Sequence, residues 1–217
     1  MQGIPLNERK RLGALLDDRP QAEVMAMIPQ FSQAETDNFV APPAQIPEAL
    51  GVLMFNMERG VNLPEIQEFL RDCPDIQPFD VILANELDDG CARSGNKNTA
   101  RELAQAFGLN YAWGLEFIEL VNDENAKGFH GNAVFSRWPI RRAGVIRLPE
   151  QYNWYFDRQK RIGGRLAVFA ELDVGGQPVG AVSIHLENRT HGEGRKAQMA
   201  AILEAVRKAV SYTHLTL

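Results

Sequence analysis

The run Phe79-Asp80-Val81-Ile82-Leu83-Ala84-Asn85 constrains this chain more than any other stretch. It is short and apolar, with Pro78 before it and Asp88-Asp89-Gly90 after it, so it reads as a buried strand ending in a polar loop. A carboxylate, Glu86, closes it. Open α/β folds present ligands to a metal or substrate from such strand ends. Asn56 closes an earlier apolar run and His185 a later one. Asn, Glu and His at three strand ends suggest a site that binds a hard cation and handles an oxyanion.

The surrounding pattern mixes strands and helices. A strand is expected over residues 50–57 and a helix over 63–73, with Pro64 in its first turn. A second helix is expected over 100–107, with Thr99 and Glu102 as a capping box and Gly108 as its stop. Strands are expected over 109–121, 130–136 and 165–173, the last with Leu166, Val168, Ala170 and Leu172 on one face. Gly175-Gly176 permits a hairpin turn into 178–187. A last helix over 195–210 carries Met199, Ile202, Leu203, Val206 and Val210 on one stripe. Helices followed by adjacent strands predict mixed or antiparallel sheets with helices outside, an α/β (α+β) fold.

Residues 1–48 read differently. Two short amphipathic helices precede Ala41-Pro42-Pro43-Ala44-Gln45-Ile46-Pro47, which cannot be a helix interior. The expected division is a helical extension and linker over 1–48 and a main domain over 49–210. A chain of 217 residues is long enough for one sizeable core. Its formal charge of −5 argues against a surface that coats nucleic acid, but leaves room for an enzyme with a local basic cleft. Cys73 and Cys91 form no metal pattern and read as two reduced thiols. No apolar run is long enough to span a membrane, and the N-terminus lacks a signal-peptide pattern; cytoplasmic is the default expectation.

Several further residues are candidates for chemistry. His185 sits opposite Val182, Ile184 and Leu186 in its strand, so it projects away from their apolar face. Arg93 follows the Glu86 strand in a polar loop, where it is either a paired phosphate contact or a solvated side chain. Asn132 is either near the cleft or a turn residue. Glu116 is a possible partner that orients His185. Tyr152, Trp154 and Tyr155 lie beside Arg158, Lys160, Arg161 and Arg165; the favoured reading is a loop packed over the sheet edge, ahead of a stacking platform for nucleic acid.

Four segments together resemble the endonuclease/exonuclease/phosphatase superfamily of DNase-I-like phosphoesterases: Val52–Asn56, Asp80–Glu86, Gly131–Ile140 and Val182–Glu187 followed by Arg195 and Gln198. The likeness covers roughly residues 49–210 and departs at Asn85, where many members carry Gln. It implies a four-layer α/β sandwich with two mixed or antiparallel sheets and outer helices. It also implies a divalent-metal-dependent phosphoesterase, with Mg²⁺ or Mn²⁺ on Glu86. Asn56 would help hold metal or phosphate through its amide, and His185 would donate to a phosphate oxygen or act as the acid. The substrate implied is a phosphate ester: nucleic acid, phospholipid or a small phosphoester. The alternative is a non-catalytic binding module on the same fold.

The resemblance also implies a later Gly-Asp-x-Asn segment and a terminal Asp-His pair. Neither occurs here, and no acid follows Glu204. Residues 211–217 resemble translated library-adapter sequence and are expected to be a non-native tail. The expectation is therefore the N-terminal part of such a domain, incomplete at its C-terminus and inactive alone, with exposed apolar surface and open sheet edges.

Overall fold

The computed structural model describes residues 1–213, with side chains through residue 209. The tail expected at 211–217 thus falls outside the described side chains, and its last four residues outside the described structure. In chain order the elements are α1 (Leu6–Ala14), α2 (Gln21–Ala26), β1 (Ala34–Asp37), β2 (Val52–Arg59), α3 (Leu63–Asp72), β3 (Val81–Asp89), α4 (Thr99–Phe107), β4 (Asn110–Glu119), β5 (Phe129–Ser136), β6 (Ile140–Arg147), β7 (Arg161–Gly163), β8 (Leu166–Val174), β9 (Gln177–Ile184) and α5 (Gly192–Thr213).

The larger sheet runs β1-β4-β5-β3-β2, with β7 also paired to β4; the smaller runs β6-β8-β9. Only β2 and β3 are parallel; the other pairs are antiparallel. Alternation along each strand decides what lies between the layers. Val81, Ala112 and Val134 of the larger sheet pack on Leu166, Val168 and Ala170 of the smaller one. The opposite face of the larger sheet, including Ile82, Trp113 and Phe135, is covered by Leu12, Val24, Leu70 and Leu103 of the first four helices. Ile202 and its partly buried neighbours Met199 and Val206 cover Ala167, Val182 and Ile184 on the far side of the smaller sheet. The result is helix, sheet, sheet, helix: the four layers expected from the sequence.

The first 48 residues do not stand apart as an extension. β1 pairs with β4, and Ile4, Leu16, Val24 and Phe31 belong to the same core as the main sheet. β1 is four residues of mixed polarity, too short to show a period of two. β6 also escaped the sequence reading, because Arg141, Arg142 and Arg147 interrupt its apolar residues. The cap of α4 is Asn98, whose side chain accepts from the Arg101 N–H, while the Thr99 hydroxyl donates to the Asp88 carbonyl. Gly108 does stop that helix, in the left-handed conformation.

The smaller sheet does not reach across the larger one. β9 lies over β3, where the Asn85 side chain donates to the Ile184 carbonyl and the Ser183 hydroxyl to the Ala84 carbonyl. On the next strand, Val52 and Met54 remain 57% and 71% exposed. Cys73 and Cys91 are both free thiols. No helix among the described residues is long and apolar enough to cross a membrane.

Candidate functional site

Four neighbouring strands lose register at one level. β2 and β3 slip between Asn56 and Arg59, β3 and β5 between Ala84 and Leu87, and β4 and β5 between Leu115 and Phe117. The residues left over include Glu86 and Glu116. A bulge bends its strand and re-aims a side chain, and bulges gather beside active sites. β3 therefore does not end at Glu86, as the sequence suggested; it continues to Asp89, with Glu86 held inside it at φ 59°. A non-glycine residue in that left-handed region costs about 1–2 kcal/mol. The Asn132 side chain secures it, its Oδ1 accepting from the Glu86 N–H at 3.1 Å. Gly131 makes room at the same level, since a Cβ there would come within 2.7–2.8 Å of the Trp113 ring.

These bulges and the loop after β9 bring Glu86, Glu116, His185, Arg165 and Glu187 together. His185 Nε2 lies 3.7 Å from Glu86 Oε1, and His185 Nδ1 lies 3.4 Å from Glu116 Oε2. Arg165, one residue before β8, places Nη1 3.0 Å from His185 Nδ1 and 3.2 Å from Glu116 Oε1, and its Nε 3.4 Å from Glu187 Oε2. Glu116 has no exposed surface. Burial alone would raise its pKa, but Arg165, His185 and His130 overcome that and hold the carboxyl down at about 2. The same carboxylates raise the pKa of Arg165 against the effect of its own burial. Glu116, named from the sequence as a possible partner of His185, lies beside its Nδ1, with Arg165 between the two.

A second network lies beside the first. His130 Nδ1 is 2.8 Å from Asp88 Oδ1, and His130 Nε2 is 3.8 Å from Glu116 Oε2. Arg93 grips both oxygens of Asp88 at 2.7 and 2.8 Å and reaches Glu119 at 3.0 Å. Burial pushes Asp88 up, but Arg93 and His130 outweigh it and set its pKa at about 2. Arg93, read from its loop as either a phosphate contact or a solvated side chain, instead has its guanidinium engaged by two buried acids.

Asn132 also departs from the substrate role. It is fully buried beneath Glu86 and fixes that residue's backbone. Asn56 stands in register with Asn85, one residue before Glu86; its side chain accepts from the Glu58 N–H and is exposed. The aromatic loop packs inward: Trp154 is 7% exposed and donates from Nε1 to Glu187 Oε2 at 2.8 Å. Arg161 and Arg165 stack on both Trp154 and Phe117. It is a wall of the cleft, not a platform for bases. Sequence reasoning missed Asp88, His130 and Arg165 as members of these networks; the position of Arg165 among several arginines was the only signal.

The cleft above this cluster is a cavity of about 160 Å³ whose lining includes Arg59, Glu86, His130, Arg161, Arg165 and Arg189. Among the described residues, no three His, Cys, Asp or Glu side chains gather into a metal-binding group. Mg²⁺ does not need such a cage, since it keeps several waters and takes one or two carboxylates. Glu86 suits it: a partly exposed oxygen donor in the cleft, with no Lys or Arg paired to it among the described residues. Nearby, the Nδ2 of Asn132 is buried and without a protein partner. Glu86 is the free carboxylate donor there; Asn132 Nδ2, an N–H donor, adds no ligand, and four arginines share the lining.

No family model matches the chain, and no curated protein matches it. Among solved structures, it is similar to an endonuclease/exonuclease/phosphatase family protein from Leptotrichia buccalis C-1013-b, with 20% identity over 72% of this chain and 63% of that one, and a TM-score of 0.48. It is also similar to SmcL, with 12% identity over 78% of this chain and 60% of that one, and a TM-score of 0.46. The chain therefore spans less than two thirds of the length of each.

Proposed function

We propose that this chain carries the metal-binding half of a phosphoester hydrolase site, with Glu86 as the ligand for Mg²⁺ or Mn²⁺. The observation that carries the reading is the His185–Glu86 pair, 3.7 Å apart, with Glu116 buried beside His185 and Glu86 lining a cleft bordered by arginines. A bound divalent ion would polarise a phosphoryl oxygen and steady the leaving oxygen. Arg165 Nη1, which can only donate, lies 3.0 Å from His185 Nδ1 and 3.4 Å from Nε2. His185 Nε2, 3.7 Å from Glu86 Oε1, can donate to a phosphate oxygen when it carries a proton. Glu116 balances the imidazolium when the ring is charged. Asn56 lies alongside on β2 and adds an amide donor and acceptor. The Gly-Asp-x-Asn segment and Asp-His pair that the resemblance implies are not among these 217 residues.

Calorimetric titration with Mn²⁺ tests the assignment on the chain itself. The parent should bind and Glu86→Gln should not; equal binding by both would refute the metal role. Turnover of bis(4-nitrophenyl) phosphate by a chain that carries that Gly-Asp-x-Asn segment and Asp-His pair separates an enzyme from a binding module on the same fold.

A further inference from the structure

The arginines of the cleft are not equivalent. Arg165 is held by Glu116 and Glu187, Arg161 by Glu119 at 3.0 Å, and Arg189 by Asp157 at 3.3 Å. Arg59 is different. It lines the same cavity as Glu86, yet its guanidinium has no hydrogen-bond or ion-pair partner among the described residues. It also acts on its neighbour: the pKa of Arg161 is lowered by burial first, and by Arg59 and Arg93 as well, against the pull of Glu119.

The backbone that delivers Arg59 is also unusual. Glu58 and Arg59 both adopt positive φ, 45° and 68°, followed by Gly60 at 68°. Glycine would take the Arg59 conformation without strain, while an arginine takes it at a cost. The slip in register after Asn56 brings Arg59 level with Leu87, the residue after Glu86. Two left-handed residues on adjacent strands thus bring an unpaired guanidinium and the Glu86 carboxylate to one cleft. The cavity, at about 160 Å³, is smaller than those that enclose whole drug-sized ligands, and it suits a headgroup whose remainder lies outside.

We propose that Arg59 is the anchor for an anionic oxygen of the reacting phosphate, making the cleft selective for charged phosphate esters over neutral ones. This rests on the phosphoesterase reading. A guanidinium offers paired donors suited to phosphate geometry, and Arg59 is the arginine in the cleft with that capacity unspent. It also takes the role that Arg93, engaged with Asp88 and Glu119, cannot fill.

The test is inorganic phosphate binding, measured by calorimetry without metal on the parent, Arg59→Gly, Arg59→Lys and Glu86→Gln. Arg59→Gly should weaken phosphate binding about tenfold or more. Its melting temperature should equal or exceed the parent's, because glycine relaxes the strained φ. Arg59→Lys should retain part of the affinity. Glu86→Gln should bind phosphate no more weakly than the parent while losing Mn²⁺. Parent-like phosphate affinity in Arg59→Gly, or no phosphate binding by the parent, would overturn the proposal. If Glu86→Gln retains Mn²⁺ binding while Arg59→Gly loses phosphate, the metal assignment fails and the anion anchor stands.

Discussion

His185 and Glu86 face each other at 3.7 Å although one lies just past the end of the smaller sheet and the other inside the larger, 99 residues apart. The meeting depends on Asn85, whose side chain donates to the Ile184 carbonyl at 3.1 Å and ties β3 to the end of β9 just before each residue of the pair. It depends equally on Glu116, buried beneath His185 and shared with Arg165 and His130.

Replacing Glu116 with Gln would strip a buried positive cluster of its central charge. Breaking a buried ion pair by removing one partner costs about 3–5 kcal/mol. Glu187 still engages Arg165, so the lower end of that range is expected. Urea unfolding of Glu116→Gln checks it; a loss below about 1 kcal/mol, no more than a typical hydrogen bond, would contradict the role given to this residue.

The same carboxyl sets a pH dependence. Its pKa in the folded chain is about 2, below the usual 4.5, so the folded state binds its proton less readily than the unfolded state. The stability it confers is fully present above about pH 4.5 and is lost as pH falls from there towards 2. In acid titrations of unfolding free energy, the parent should lose stability more steeply in that window than Glu116→Gln. Parallel curves would contradict this.

Glu86 should trade stability for function. Glu86→Gly removes the carboxylate and relaxes a residue at φ 59°. Relief of the left-handed strain, about 1–2 kcal/mol, offsets the entropy that glycine loses on folding. The melting temperature should therefore hold or rise while the response to Mn²⁺ disappears. A clear fall in melting temperature would show that the side chain serves the fold.

The uncovered face of β2 should govern solubility. Val52 and Met54 expose apolar surface beside each other on one face of an edge strand. Val52→Thr with Met54→Lys should reduce aggregation in light scattering without lowering the melting temperature. Unchanged scattering would place the sticky surface elsewhere.

Much of this fold was legible because its central strands are short apolar runs and its helices have clear stops. β3, β5, β8 and α4 follow directly from period and from Gly108. β6 was hidden by its arginines and β1 by its brevity. The site was half legible. Glu86, His185 and Glu116 could be named because each polar group interrupts or ends an apolar run. The bulges that aim them depend on pairing between strands, which no local pattern reveals. For the same reason Arg93 read as free: its partners Asp88 and Glu119 become neighbours only when β3 and β4 are placed around β5. Asn132 read as a possible ligand contact because its bond to the Glu86 backbone spans 46 residues.

The central claim is a divalent ion held at Glu86 beside His185. Paramagnetic Mn²⁺ added to the chain, with the histidine ring signals followed by NMR, tests it most directly. His185 should broaden at low Mn²⁺ in the parent, and that broadening should vanish in Glu86→Gln. Equal broadening of His185 in both proteins, or none in the parent, would contradict the account.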